Sequence, residues 1–108
     1  MSTNKDLEKQ LEYFESEIIE AYENDGLWEY LMDLDIYNCD FTIRLGSRGL
    51  EYSSVRVMLA CGGPNIYLDT DEGALIGAWG SDREELYLDS DIIEQIDDYF
   101  EDYYSNCI

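Results

Sequence analysis

Apolar residues recur along the first part of the chain at Leu7, Leu11, Phe14, Ile18, Ile19, Ala21 and Tyr22. The 4-3-4 steps from Leu7 to Ile18 trace one helical stripe, so a helix is predicted from about Asn4 to Asn24. Thr3 or Asn4 is a competent N-cap, and Asn24-Asp25-Gly26 is a stop signal. A dense apolar run follows at Leu27, Trp28, Tyr30, Leu31, Met32 and Leu34, read as a short second helix packed on the core.

The period then changes from three-to-four to two. Phe41, Ile43 and Leu45 alternate with Thr42 and Arg44, the pattern of a half-buried strand. Further strands are predicted at Val55–Ala60, Ile66–Asp69, Ala74–Trp79 and Glu85–Leu88. Turns at Gly46-Ser47-Arg48-Gly49, Cys61-Gly62-Gly63-Pro64-Asn65, Asp71-Glu72-Gly73 and Gly80-Ser81-Asp82 separate them. Connections this short imply hairpins and an antiparallel meander. A last helix is predicted from Asp89 or Ser90 to Tyr104, with Ile92, Ile93, Ile96, Tyr99, Phe100 and Tyr103 as its apolar face. Asp89, Ser90 and Asp91 are all suitable caps there. The predicted fold is α+β: a central antiparallel sheet of four to five strands, with N-terminal and C-terminal helices packed on one face, in a single domain spanning 1–108.

Charge changes this picture from a fold into a candidate function. The 108 residues carry 26 acids, 6 bases and no histidine, for a net charge of −20. With 45% hydrophobic residues, such a chain can still fold. The charge is sorted: residues 1–40 hold twelve acids against two bases, residues 41–80 four against three, and residues 81–108 ten against one. Direct binding to nucleic acid or to an anionic membrane is excluded, because both need Lys/Arg opposite phosphate. No apolar run approaches the roughly 18 residues of a membrane span, and no basic-then-apolar stretch opens the chain. Cys39, Cys61 and Cys107 are odd in number and lack CxxC spacing, so buried or half-buried reduced thiols and a cytoplasmic location are expected.

Conventional chemistry finds little footing. Without histidine there is no Ser-His-Asp or Cys-His nucleophile, and Cys61 has no activating base. Asp69-x-Asp71-x-Gly73 opens like a calcium loop, but its sixth position is Ala74 and its twelfth is Gly80, where the motif needs Gly and Glu. Arg44, Arg48 and Arg56 could hold a phosphate, although salt bridges to neighbouring acids are the plainer reading. Cys61-Gly62-Gly63-Pro64 lacks the lysine and helix start of a phosphate loop. No catalytic role, cofactor or metal is expected. Of ten tyrosines, most are read as core or core edge, with a minority forming an aromatic and anionic surface.

What does stand out is where the carboxylates fall. Asp6, Glu8, Glu12, Glu15, Glu17, Glu20 and Glu23 spread over ~25 Å of the first helix, roughly one per 4 Å. Asp89, Asp91, Glu94, Asp97, Asp98, Glu101 and Asp102 give roughly one per 3 Å on the last. One strand of B-DNA carries a phosphate every ~3.4 Å. Solubility needs a net charge of magnitude only about 2–8. Glu94/Asp98 and Asp97/Glu101 repel at i,i+4 spacing, which favours a positively charged partner that relieves the repulsion.

The segment Cys61-Gly62-Gly63-Pro64-Asn65-Ile66-Tyr67-Leu68-Asp69-Thr70, then Ala78-Trp79, then Ile96-Asp97-Asp98-Tyr99-Phe100, resembles a family of small acidic proteins of phages and mobile elements. The likeness covers residues 55–104. It is similar to anti-CRISPR and antirestriction proteins, several of which mimic DNA, and it implies inhibition of a host defence complex. The resulting expectation is an anti-CRISPR protein that blocks target-DNA binding by presenting acidic faces to a Lys/Arg-lined site on a CRISPR–Cas effector subunit. The residues expected to carry it are Glu94, Asp97, Asp98, Glu101 and Asp102 on the last helix, and Glu12, Glu15, Glu20 and Glu23 on the first. An acidic antitoxin or immunity-type inhibitor of a basic nuclease is the alternative, and a small carboxylate metal-dependent enzyme a third reading.

Overall fold

The stripe of Leu7, Leu11 and Ile18 does what its spacing dictates. All three are buried along helix α1 (Lys5–Glu23). A computed structural model describes residues 5–34 and 36–107, except the side chain of Cys107. The expected caps Thr3 and Asn4 lie outside the described residues. At its far end α1 stops in a Schellman turn, in which the Gly26 N–H bonds the Ala21 carbonyl at 2.8 Å and the Asp25 N–H bonds that of Tyr22 at 3.2 Å. Asp25, with φ of 56°, takes the left-handed position that glycine usually fills. Helix α2 (Leu27–Asp33) follows at once, burying Leu27 and Leu31.

Five strands form an antiparallel meander in the order β1 (Asn38–Gly46), β2 (Gly49–Ala60), β3 (Asn65–Asp69), β4 (Ala74–Trp79), β5 (Asp82–Tyr87). Helix α3 (Ser90–Cys107) closes the chain. Asp89 caps it: its carbonyl accepts the Ile93 N–H at 3.0 Å and its Oδ1 the Asp91 N–H at 3.3 Å.

The helices cover one face of the sheet. Val57, Leu68, Leu75 and Leu86 stand in register across β2 to β5 and meet Leu7, Leu11, Ile92, Ile96 and Phe100 in one core. Gly77 leaves room for α1 to pack down on β4, since a Cβ there would sit 2.7 Å from Leu7 Cδ1. Helix α2 packs on both neighbours, turning Trp28 edge-on to Tyr99 of α3 at 5.4 Å and the Tyr30 hydroxyl to Glu17 of α1 at 3.1 Å.

Two expectations are corrected at the first hairpin. β1 is not half-buried throughout: Phe41 is, but Ile43 is 41% and Leu45 83% exposed. The rings of α3 reach only as far as Phe41 and Tyr52, through Tyr103 and Tyr104, so residues nearer the hairpin tip have no cover. β2 also begins six residues before the predicted Val55. The register skips Ser53, placing two β2 residues opposite Thr42, and this bulge breaks the alternation that would have announced the strand.

Candidate functional site

Helix α3 buries Ile92, Ile96 and Phe100, and this sets where its acids go. Asp91, Glu94, Asp98 and Glu101 follow one another at three-to-four-residue steps on the opposite side, with Asp102 one turn beyond Asp98, and all are exposed. They form one continuous anionic face about 17 Å long, with neighbouring charges roughly 4 Å apart along the axis.

Asp97 does not belong to that face. It is half-buried, turned towards the sheet, and accepts the Tyr52 hydroxyl proton. Burial first, then this hydrogen bond and the charges of Asp97 and Glu101, push the Tyr52 phenol well above its ordinary value. Position 97 falls between the outer stripe and the core stripe, and its partner lies 45 residues away in sequence. Asp97 therefore anchors α3 to β2 and is not presented outward.

Of the four residues expected on α1, Glu12 and Glu20 border different recesses. Glu8 and Glu12 border a small recess of about 110 Å³ with Glu84 and Glu85 of β5. Glu15 and Glu23 continue that flank at helical spacing. Glu20, three residues before Glu23, lines a recess with Glu17 and Tyr30 facing α2. The structure thus supplies two carboxylates, Glu84 and Glu85, that the strand pattern did not bring forward, and places Glu12 and Glu20 at different recesses.

The open face of the sheet is chemically different. It holds Arg44–Glu51 at 3.8 Å, Arg56–Asp69 at 3.0 Å and Arg83–Glu85 at 2.9 Å, and the Arg56 guanidinium lies over the Tyr67 ring. Arg44 and Arg56 are thus engaged by acids, while Arg48 sits exposed at the hairpin turn. Asp69, the first residue of the calcium-like sequence, is spent within its own turn. Its Oδ2 takes Arg56, and its Oδ1 accepts the N–H groups of Asp71 at 2.9 Å and Glu72 at 3.2 Å. Gly73 completes that turn with φ of 70°. Among the described residues, no group of three or more His, Cys, Asp or Glu is arranged to hold a metal ion, and no helix is long and apolar enough to cross a membrane.

Cys39 is a half-buried thiol whose pKa is raised by burial and by Asp40. Cys61 is free but fully outside the core, contrary to expectation, because β2 ends one residue earlier and the turn carries it into solvent. No known family model, curated protein or solved structure matches the chain.

Proposed function

We propose that this protein is a nucleic-acid-mimicking inhibitor of the anti-CRISPR type, which occupies a Lys/Arg-lined DNA site on a defence nucleoprotein and excludes the nucleic acid. One observation carries the reading: the uninterrupted outer face of Asp91, Glu94, Asp98, Glu101 and Asp102. Its axial charge spacing of roughly 4 Å is close to the ~3.4 Å of a single DNA strand. A rigid helix holds these charges in a fixed row. A cationic groove that already fits a phosphate backbone therefore meets them without reorganisation, and long-range attraction speeds the encounter. The mechanism is stoichiometric competition and needs no catalytic group.

The test is target-DNA binding by a CRISPR effector measured with and without the protein at two salt concentrations. Stoichiometric displacement is expected, weakening as salt rises. Reversing Glu94, Asp98 and Glu101 to Lys should abolish displacement while the circular dichroism spectrum stays unchanged. A folded triple variant that still displaces DNA removes α3 from the interface.

A further inference from the structure

Between α1, α2 and the segment leading into β1 lies a second feature, a recess of about 390 Å³. That volume is at the lower end of the ~300–1,000 Å³ typical of small-molecule sites. Tyr13 and Glu17 reach it from α1, Tyr30 and Asp33 from α2, and Tyr37 from the approach to β1. Tyr37 is fixed there by its backbone N–H, which bonds the Met58 carbonyl at 3.0 Å. The walls are three phenol rings and two carboxylates together with the apolar side chains of Phe14, Leu34 and Leu59.

The aromatic part is not ordinary core packing. Tyr13 is 57% and Tyr37 61% exposed, so both rings offer a face to whatever enters. Tyr30 is half-buried and its hydroxyl donates to Glu17 Oε1 at 3.1 Å, which orients that carboxylate. Glu17 in turn pushes the Tyr13 phenol up, by hydrogen bonding first and charge second, and the Tyr30 phenol up in addition to the effect of burial. Both rings thus remain neutral and electron-rich in any ordinary buffer.

Such a recess has one complementary occupant. Aromatic faces attract cations through their quadrupole, and two carboxylates supply the counter-charge. Among the described residues, no salt bridge reaches Glu17 or Asp33; those of Arg44, Arg56 and Arg83 are on the open face of the sheet. A guanidinium suits the site better than an ammonium. It is flat enough to stack between phenols, sheds water more readily, and forks onto carboxylates.

We propose that this recess receives an arginine side chain of the protein's basic partner, an anchor that adds geometric specificity to the attraction of the α3 face. The proposal rests on the inhibitor reading for the identity of the partner, but the recess can be tested without it. The free protein is titrated with N-acetyl-arginine methylamide, and separately with N-acetyl-lysine methylamide, while the tyrosine ring resonances are followed by NMR at low salt.

Saturable shifts confined to Tyr13, Tyr30 and Tyr37 are expected with the arginine compound, in the millimolar range, with the lysine compound binding several-fold more weakly. Glu17→Gln, which keeps an oxygen for the Tyr30 hydroxyl, should weaken arginine binding roughly tenfold. Asp33→Asn should weaken it in the same direction. Asp98→Asn, on the other acidic face, should leave it unchanged. Linear, unsaturating shifts spread over both acidic helices would overturn the proposal, as would equal binding of both compounds or full binding by Glu17→Gln. Any of those results leaves the α3 face intact as a DNA mimic, whereas failure of the α3 triple variant test does not bear on the recess.

Discussion

Asp98 is the residue at which the acidic face of α3 is most crowded. It has Glu94 and Asp102 one turn away on either side and Glu101 at the three-residue step, all exposed. Like charges at these spacings oppose a helix by roughly 0.2–0.5 kcal/mol each. Three such contacts place the penalty near ~1 kcal/mol. Asp98→Asn removes them with almost no change of shape, and the two residues have nearly equal helix propensity. The variant should therefore unfold about 1 kcal/mol less readily, a rise of roughly 4 °C in Tm for a domain of this size.

The assay is thermal unfolding followed by circular dichroism in 20 mM and in 1 M sodium chloride. The gain should be full at low salt and nearly absent at high salt, where the Debye length falls to about 3 Å. A Tm that is unchanged or lowered at low salt would refute the reasoning, because the face would then not be self-repelling. A gain that survives in 1 M salt would refute it too, by assigning the effect to something other than charge. Under the proposed function the same variant should displace DNA less well, so stability and activity move in opposite directions.

Two further outcomes follow from local geometry. Tyr52→Phe takes the hydroxyl from half-buried Asp97 and should destabilise the fold by about 1–2 kcal/mol in urea unfolding. Because the Tyr52 pKa is raised above 10.0 in the folded state, wild-type stability should be full below pH 10 and fall as pH rises beyond it. The variant should lose stability less steeply over that alkaline range, and an identical slope would show that Tyr52 does not titrate with unfolding. Asp25→Gly places glycine at the left-handed residue between α1 and α2 and should stabilise by about 0.5–1 kcal/mol, whereas Asp25→Ala should not. A higher urea midpoint for both would contradict the left-handed turn.

How much of this was legible in the sequence depends on the distance over which each feature is determined. Helices α1 and α3 are written in their own spacing, and β4 has the predicted bounds because Gly73 and Gly80 punctuate it on both sides. The first half of β2 was not legible, since the bulge at Ser53 disrupts the only local signal a strand has. The alternation of β1 was genuine, but alternation does not tell how far along the strand a helix will reach. The same distinction applies to the acids. The outer face of α3 follows from its core face, while Asp97 is withdrawn by a tyrosine on another element. The α1 acids follow the 100°-per-residue geometry of a helix: Glu12 and Glu20, eight residues apart, are separated by about 80° around the axis, enough to border different recesses. The tyrosine recess was beyond reach, because its walls come from α1, α2, β2 and the segment before β1, which only the tertiary fold brings together.

The arrangement of charge also bears on why it is there. The salt-bridged arginines Arg44, Arg56 and Arg83 lie on the open face of the sheet, away from the helices. The last turns of α1, α2 and α3 contain no base, and Glu20 and Glu23 close α1 where the helix dipole disfavours negative charge. Solubility is indifferent to which face a charge occupies, so it would be served equally by arginines interspersed among the glutamates, at lower cost to the helices. On the helical side Lys5 and Lys9 are confined to the first turns of α1, so the rest of α1 and all of α2 and α3 sacrifice stability for a field of one sign. That sacrifice is reasonable where the field itself is recognised: a cationic groove restores on binding what self-repulsion withholds in the free protein, and the acids that are least comfortable alone become those that contribute most to the complex.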